Sequence, residues 1–373
     1  MTKRIGLLTL PLHSNYGGII QVAALYSVLE SAGFQPFLLK KKTYRASWKN
    51  IVIGALERVP GQNLGNYRRQ HLKFRKHAEF ITSFMPSVSE GCSTPTDLGR
   101  EVDRLGLDAV VVGSDQVWRL DYINDGYYDA YFLSFLNGSR ATGVSYAASF
   151  GTDVWPDDAK SERVRELLGS FDAVSVREDS GQRLCREKFG RTDAVHVLDP
   201  TLLAPRSFHE SVIERLGAEG PKGGLFAYVL DQSPAKLQII ESVRVGRGIE
   251  SALITEPEAS LTNYVHLGEW LRRFRDADFV VTDSYHGMIF SIIFEKQFVA
   301  IGNNGRGLTR FTSLLKLLNL EDRLFTSEVR DQQFVENMLR TDIDYVRVRE
   351  HLTELRASSL NFLVNAVSGD LKS

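Results

Sequence analysis

The stretch of residues 279–290 reads FVVTDSYHGMIF and decides the fold class of this chain. Its first four residues predict a buried strand, and the polar residues Asp283 and Ser284 follow that strand directly. His286 comes next, and a glycine then opens an apolar helix. In α/β proteins, ligands bind in the crevice beyond the carboxyl ends of the strands, and helix N-termini attract anions. We therefore expect His286, a side chain easily set as an acid or base near neutral pH, to stand at an anion-binding crevice. The alternative is a hydrogen-bonded histidine that caps the helix.

The rest of the chain repeats this strand, loop and helix pattern, which predicts parallel sheets with helices on both faces. The predicted strands are Arg4–Leu10, Phe37–Leu39, Ala109–Val112, Thr142–Tyr146, Ala173–Val176, Ala194–Val197, Gly224–Leu230, Ser251–Ile254, Phe279–Thr282 and Gln297–Ile301. The predicted helices include Ile19–Ala32, Lys160–Leu168, Asp179–Phe189, Ser233–Val245 and Leu267–Phe274. We therefore predict an α/β protein with two Rossmann-like domains facing a cleft.

The length of the chain, 373 residues, exceeds that of one typical core. We predict an N-terminal Rossmann-like domain over residues 1–205 and a C-terminal Rossmann-like domain over residues 206–330. A helical tail, residues 331–373, is expected to pack across both, because its apolar residues recur at helical spacing.

The composition is that of an ordinary soluble globular protein, with 43% hydrophobic and 24% charged residues. Only two cysteines occur, Cys92 and Cys185, which disfavours a disulfide framework or a structural zinc site and fits a reducing cytosol. No apolar run approaches the ~18 residues of a membrane span, and no signal-peptide pattern is present. The motifs G-x-S-x-G, H-E-x-x-H and G-x-x-x-x-G-K-[ST] are absent, as is a metal-type carboxylate cluster, which disfavours simple hydrolases, metalloproteases and nucleotide hydrolases. We expect neither a metal nor a cofactor at the site.

A basic segment, about residues 40–78, interrupts the first domain. From Lys40 to Ala78 it has eleven Lys or Arg and one acid, a formal charge of +10, although the whole chain has −1. The segment also contains the aromatic residues Tyr44, Trp48, Tyr67 and Phe74. It could contact anionic lipid headgroups or a diphosphate-linked acceptor, at the inner face of a membrane, and a solvated insertion explains it equally well. No nucleic-acid motif accompanies the charge, so nucleic acid is not an expected partner.

Two further loops at predicted strand ends have residues suited to ligands. The first contains Asn15, Tyr16, Gly17 and Gly18, where paired glycines let backbone N–H groups approach a ligand. A plain strand-to-helix turn is the alternative, because no phosphate fingerprint is complete.

The second loop follows the predicted strand Ala109–Val112. In it, Asp115 could orient or deprotonate a hydroxyl, Ser114 and Gln116 could bind one, and Trp118 offers a platform for a sugar. Core packing is the alternative for Trp118.

Three arginines at strand ends are candidate anion ligands. Arg177 lies just past a strand, and a guanidinium there suits bidentate binding of carboxylate or phosphate. Its alternative role is an ion pair with Glu178 or Asp179. Arg306 and Arg310 lie on a Gly-rich loop after the last predicted strand and could form an anion clamp.

The motifs occur in an order that resembles the polysaccharide pyruvyl transferase family. They are N-Y-G-G at 15–18, G-S-D-Q-V-W at 113–118, S-Y-A-A-S-F-G at 145–151, V-S-V-R-E at 174–178, L-D-P-T-L-L at 198–203 and T-D-S-Y-H-G at 282–287. The resemblance runs from about Arg4 to Arg323. It implies a GT-B-like pair of domains and transfer of pyruvate from phosphoenolpyruvate onto two hydroxyls of one sugar, giving a cyclic ketal.

The resemblance also implies site residues. The family places a histidine near the donor at the position of His286, with arginines binding the donor carboxylate and phosphate. Many members have R-L-H there, whereas this chain has Ser284 in place of the arginine. The candidate donor-binding residues are Asn15, Gly17, Gly18, Arg177, Ser284, Arg306 and Arg310. The candidate acceptor-binding residues are Tyr16, Ser114, Gln116 and Trp118.

The expected reaction is ketal-pyruvyl transfer to a sugar of a surface polysaccharide or of its lipid-linked precursor. His286 would protonate the methylene carbon of phosphoenolpyruvate, and Asp115 would accept the proton of the attacking hydroxyl. Two alternatives stay open. One is a glycosyltransferase of the same architecture that uses a nucleotide sugar, and the other is a non-catalytic sugar- or anion-binding relative.

Overall fold

The strands lie in two separate parallel sheets. The computed structural model describes residues 2–12, 15–41, 77–123, 125–217, 219–255, 265–302, 307–326 and 340–370. Its strands are β1 Arg4–Leu8, β2 Gln35–Leu38, β3 Ala109–Gly113, β4 Thr142–Ala148, β5 Ala173–Val176, β6 Val195–His196, β7 Leu225–Tyr228, β8 Ala252–Ile254, β9 Phe279–Thr282, β10 Gln297–Ile301 and β11 Leu324–Phe325. The labelled helices are α1 Tyr16–Ser31, α2 Pro95–Leu105, α3 Ser161–Gly169, α4 Asp179–Glu187, α5 Pro200–Leu203, α6 Arg206–Leu216, α7 Pro234–Gly246, α8 Leu267–Asp276, α9 Tyr285–Ile293, α10 Leu308–Leu317 and α11 Tyr345–Ser368.

Within each sheet, the strands that are followed by a motif all end at the same edge. The first sheet has the order β2-β1-β3-β4-β5-β6 and the second has β11-β10-β9-β7-β8. All registered pairs are parallel, so the carboxyl ends within each sheet point the same way. The predicted α/β fold with two Rossmann-like units is confirmed.

The apolar strands form because both faces of each sheet are covered. β3 (AVVVG) and β9 (FVVT) are buried along their whole length, as strands between two layers of helices must be. β7 is shorter than the predicted Gly224–Leu230. The reason is local: the N–H of Leu230 donates to Asp283 Oδ1 at 2.7 Å, which ends the strand pairing.

The last helix, α11, begins against the second sheet unit and ends against the first. Near its start, Arg349 forms an ion pair with Glu295 at 2.8 Å. Further along, Ser359 Oγ accepts a hydrogen bond from the N–H of Leu198 at 3.0 Å. This crossing agrees with the predicted packing of the tail, although residues 327–339 lie outside the described part of the chain.

One apolar cluster joins the two units. It includes Ile5 of β1 and Ile19 of α1 together with Val280 of β9 and Met288 of α9, all at 0% exposure. The two sheets are therefore packed against a common core. Of the helices that the structure describes, none has the length and apolar character needed to cross a membrane.

Candidate active site

The polar residues at the carboxyl edges of the two sheets meet in one buried centre. The first sheet contributes the loop after β1, Asp115 after β3, Arg177 after β5 and Asp199 after β6. The second sheet contributes His286 in the first turn of α9, and Arg310 follows in α10.

Arg177 forms ion pairs with two carboxylates at this centre. It is 1% exposed; its Nη1 donates to Asp199 Oδ2 at 2.7 Å and its Nη2 to Asp115 Oδ1 at 3.4 Å. The sequence left open an ion pair between Arg177 and Glu178 or Asp179. In the structure, Arg177 instead pairs with Asp199 and Asp115. Two negative groups around one guanidinium leave a local excess of negative charge, which favours further cations nearby.

Asp115 adopts an unusual backbone conformation at the end of β3. Its φ is 62°, in the left-handed region that side chains other than glycine rarely adopt. Its Oδ2 accepts from Asn15 Nδ2 at 3.2 Å, and a Cβ at Gly18 would lie 3.2 Å from the same oxygen. The loop after β1 therefore packs directly on this carboxylate, and an outlier of this kind is typical of functional sites.

His286 lies between the two sheet units. Its Nε2 is 3.8 Å from Asp199 Oδ2, and a Cβ at Gly17 would lie 2.1 Å from its Nδ1. The side chain is buried, and burial lowers the pKa of His286, while Asp199 and Asp115 oppose that shift and the two arginines, Arg177 and Arg310, add to it. Nε2 is buried and has no hydrogen-bond partner among the described residues.

The guanidinium groups of two arginines lie against the ring of Tyr285. The Cζ of Arg177 lies 4.7 Å from the ring centroid and that of Arg310 lies 5.0 Å from it. Burial lowers the pKa of Arg310 to about 10, so Arg310 stays charged at neutral pH. Two arginines thus stack on Tyr285 next to His286, and their charges offset those of Asp115 and Asp199.

Glu178 also belongs to this centre and is absent from the sequence-based site. It is 0% exposed, and its Oε1 accepts from Ser149 Oγ at 2.9 Å and from the N–H groups of Phe150 and Gly151 at 3.0 and 3.3 Å. Burial raises the pKa of Glu178, and Arg177 and Arg310 oppose that shift. Its position directly after Arg177 at a strand end was the signal that could have identified it.

Ser284, Ser114 and Gln116 are buried parts of the framework. Ser284 caps α9, because its Oγ accepts from the N–H of Gly287 at 3.3 Å. Ser114 Oγ donates to Asp199 Oδ2 at 3.4 Å, and Gln116 Oε1 accepts from Arg119 at 3.0 Å.

The expectation that Trp118 offers a platform to a sugar does not fit the structure. Trp118 is 1% exposed and stacks on Phe132, with ring centroids 5.3 Å apart. Its Nε1 donates to the carbonyl of Tyr131 at 2.9 Å. The ring and its polar tip are thus used within the core, as the core-packing alternative predicts.

Tyr16 lies at the start of α1, half-buried. Its ring stacks on Trp270 of the second unit at 5.0 Å, and its hydroxyl donates to the carbonyl of Val265 at 2.7 Å. Arg306 and residues 42–76 of the basic segment lie outside the described residues. The described part of the chain contains no group of three or more His, Cys, Asp or Glu that could hold a metal ion.

Comparison with known proteins identifies a family. The family model described as polysaccharide pyruvyl transferase matches residues 15–305. A search of curated proteins found no match.

Solved structures show the same fold at low identity. The chain is similar to a glycosyltransferase from Rickettsia africae ESF-5, with 9% identity, 98% of this chain and 94% of that chain covered and a TM-score of 0.52. It is also similar to MnaA of S. aureus, solved with UDP, with 12% identity, 100% and 97% coverage and a TM-score of 0.51. These likenesses show a GT-B fold. Since the family model covers most of the chain and the motifs within it meet at one buried centre, the chain belongs to the polysaccharide pyruvyl transferase family.

Proposed function

We propose that this protein transfers pyruvate from phosphoenolpyruvate onto two hydroxyls of one sugar. The observation that supports this most is the burial of one histidine and two arginines around the Tyr285 ring, between the two sheets. Phosphoenolpyruvate combines a carboxylate and a phosphate on one small carbon skeleton. A receptor for it needs several fixed cations and an acid close to its methylene carbon.

Arg310 is the main donor ligand in this proposal. Arg177 has its two terminal nitrogens on Asp199 and Asp115, so in this proposal it supplies positive potential to the site. Arg310 comes from the second unit and lies over the same ring as Arg177. In this proposal Arg310 takes the role of the arginine that many relatives have at the position of Ser284.

The proposed reaction begins with the proton of His286. That proton passes to the methylene carbon, a C–H bond forms and the central carbon becomes electron-poor. A sugar hydroxyl attacks this carbon and gives its proton to Asp115. The bond to the phosphate oxygen then breaks, the second hydroxyl closes the ring, and its proton leaves with phosphate. Asp115 then releases its proton to solvent and His286 takes one up from solvent. Over one cycle the two protons lost by the hydroxyls are therefore balanced by one gained in the new methyl group and one that leaves with phosphate.

The acceptor is proposed to be a sugar of a surface polysaccharide or of its lipid-diphosphate-linked precursor. The argument for a lipid carrier is the +10 charge and aromatic content of residues 40–78. Segments of this kind bind anionic headgroups and diphosphates. A lipid carrier would also place the reaction at the inner face of a membrane.

The test is release of phosphate from phosphoenolpyruvate with a panel of lipid-linked galactose, glucose and N-acetylhexosamine acceptors. Release should depend on the acceptor and should disappear in His286→Gln, while His351→Gln on α11 serves as the matched control and retains it. Turnover near the wild-type value in folded His286→Gln contradicts the proposal. Thermal stabilisation by a nucleotide diphosphate and none by phosphoenolpyruvate would instead favour a nucleotide-sugar glycosyltransferase.

A further inference from the structure

Asp199 is held in one fixed orientation at the centre of the site. It lies after β6 and is 1% exposed. Its Oδ1 accepts from the N–H of Thr201 at 2.9 Å and from Thr201 Oγ1 at 2.6 Å. Because both bonds come from the next turn of chain, the second carboxylate oxygen is aimed away from this turn and into the site.

The second oxygen, Oδ2, faces three groups. Arg177 Nη1 lies 2.7 Å away, Ser114 Oγ lies 3.4 Å away, and His286 Nε2 lies 3.8 Å away. The last distance is too long for a hydrogen bond but well within the range in which an opposite charge stabilises an ionised group. Burial alone would raise the pKa of Asp199, but Arg177, His286 and the bonds from Thr201 hold it below its usual value.

His286 needs such a partner, because burial favours its neutral form. The charged groups that face it are Asp199, Asp115 after β3, Arg177 after β5 and Arg310 in α10. The two arginines disfavour an imidazolium, so its existence depends on the carboxylates. Asp199 is the carboxylate paired directly with the imidazole.

We propose that Asp199 is the positioning residue that stabilises the protonated form of His286 for proton transfer. It acts through His286 and does not itself contact the donor, in the way that a buried aspartate stabilises a catalytic imidazolium. Asp199 belongs to the first sheet unit and His286 to the second, so the acid is complete only while the two units are together. This inference rests on the role of His286 in the proposed function.

The test is the titration of His286 in the ligand-free protein, followed by NMR of ¹³Cε1-labelled histidine and assigned by comparison with His286→Gln. Asp199→Asn keeps the shape of the side chain and removes its charge. It should lower the apparent pKa of His286 by about one unit or more. Asp115→Asn is the matched control, since it removes a charge from the same network without the direct pairing, and it should lower that pKa by less.

A second readout is the pH profile of turnover. The acid form is needed, so activity is lost as pH rises through the pKa of His286, and Asp199→Asn should move this alkaline limb to lower pH. Thr201→Val is a milder variant, in which Asp199 keeps its charge but loses the 2.6 Å bond that orients it. Thr201→Val should lower the pKa of His286 by less than Asp199→Asn does. It replaces Asp199→Asn in the test if that variant does not fold.

An unchanged titration of His286 in the folded variants overturns the positioning role. The NMR experiment needs no substrate, so it separates the two proposals. Suppose that Asp199→Asn lowers the pKa of His286 but that no acceptor supports phosphate release from phosphoenolpyruvate. Asp199 would then remain the partner of His286, and the proposed reaction would be refuted.

Discussion

Gly17 of α1 packs directly on His286 of α9, although the two residues belong to different sheet units. A Cβ at position 17 would lie 2.1 Å from His286 Nδ1, far inside contact distance. Any side chain at position 17 would therefore clash with the imidazole, so this position requires glycine.

Gly17→Ala should reduce kcat/KM by about 100-fold or more, because displacing a catalytic group by about 1 Å has an effect of that size. The control is Gly169→Ala at the end of α3, where an added Cβ has nothing within 4 Å. Steady-state kinetics of phosphate release compare the two variants. Equal activity of both would show that the contact with His286 has no catalytic importance.

Arg310→Met should weaken binding of phosphoenolpyruvate by about 10- to 100-fold, the loss expected for charge-assisted hydrogen bonds of about 1.5–3 kcal/mol. Arg310→Lys should recover part of this affinity, since it keeps the charge and loses the planar fork. Isothermal titration calorimetry measures both. Arg323→Met, another buried arginine, is the control for folding. Unchanged affinity in Arg310→Met would remove Arg310 from the donor site.

His209 should make the protein less stable in mild acid. Its Nε2–H donates to the carbonyl of Thr201 at 2.9 Å, and burial lowers the pKa of His209 from 6.5 to about 4. Between these values the unfolded chain binds a proton that the folded chain does not, so the free energy of unfolding falls as pH falls from about 6.5 towards 4. The loss between pH 7 and pH 5 is of the order of 2 kcal/mol.

Urea unfolding at the two pH values tests this dependence. The difference should shrink in His209→Gln and persist in His351→Gln. If His209→Gln keeps the full pH dependence, other groups cause it.

Leu363→Ala in α11 should lower the free energy of unfolding by about 2–5 kcal/mol, because Leu363 is fully buried in the core that joins the two units. Leu360, three residues earlier on the same helix, is 37% exposed. Leu360→Ala is the matched control and should change stability by about 0.5 kcal/mol or less. Similar losses in both variants, measured by urea unfolding, would mean that α11 does not pack as described.

The sequence was most informative where buried strands end in polar residues. Runs such as FVVT at 279–282 predict a strand without ambiguity, and parallel strands must bring their carboxyl ends to one edge. His286, Arg177 and Asp115 were predicted as site residues on this ground, and the structure brings them together.

The role of Asp199 could not be read from the sequence, because it depends on partners distant along the chain. Its contacts with Ser114, Arg177 and His286 join segments 85, 22 and 87 positions away, and only the arrangement of the two sheets makes them neighbours. Trp118 was ambiguous for a different reason. An aromatic residue just past a strand can turn to the crevice or back to the core, and the pattern of residue types is the same in both cases.

Tyr285, His286 and Arg310 are each no more than 6% exposed. In the proposed reaction, phosphoenolpyruvate would reach them through a separation of the two units, as in enzymes whose halves close over a substrate. An inhibitor would then not need to imitate the donor. A molecule that binds the open form and wedges between Gly17 and His286 would block the enzyme whichever sugar it modifies.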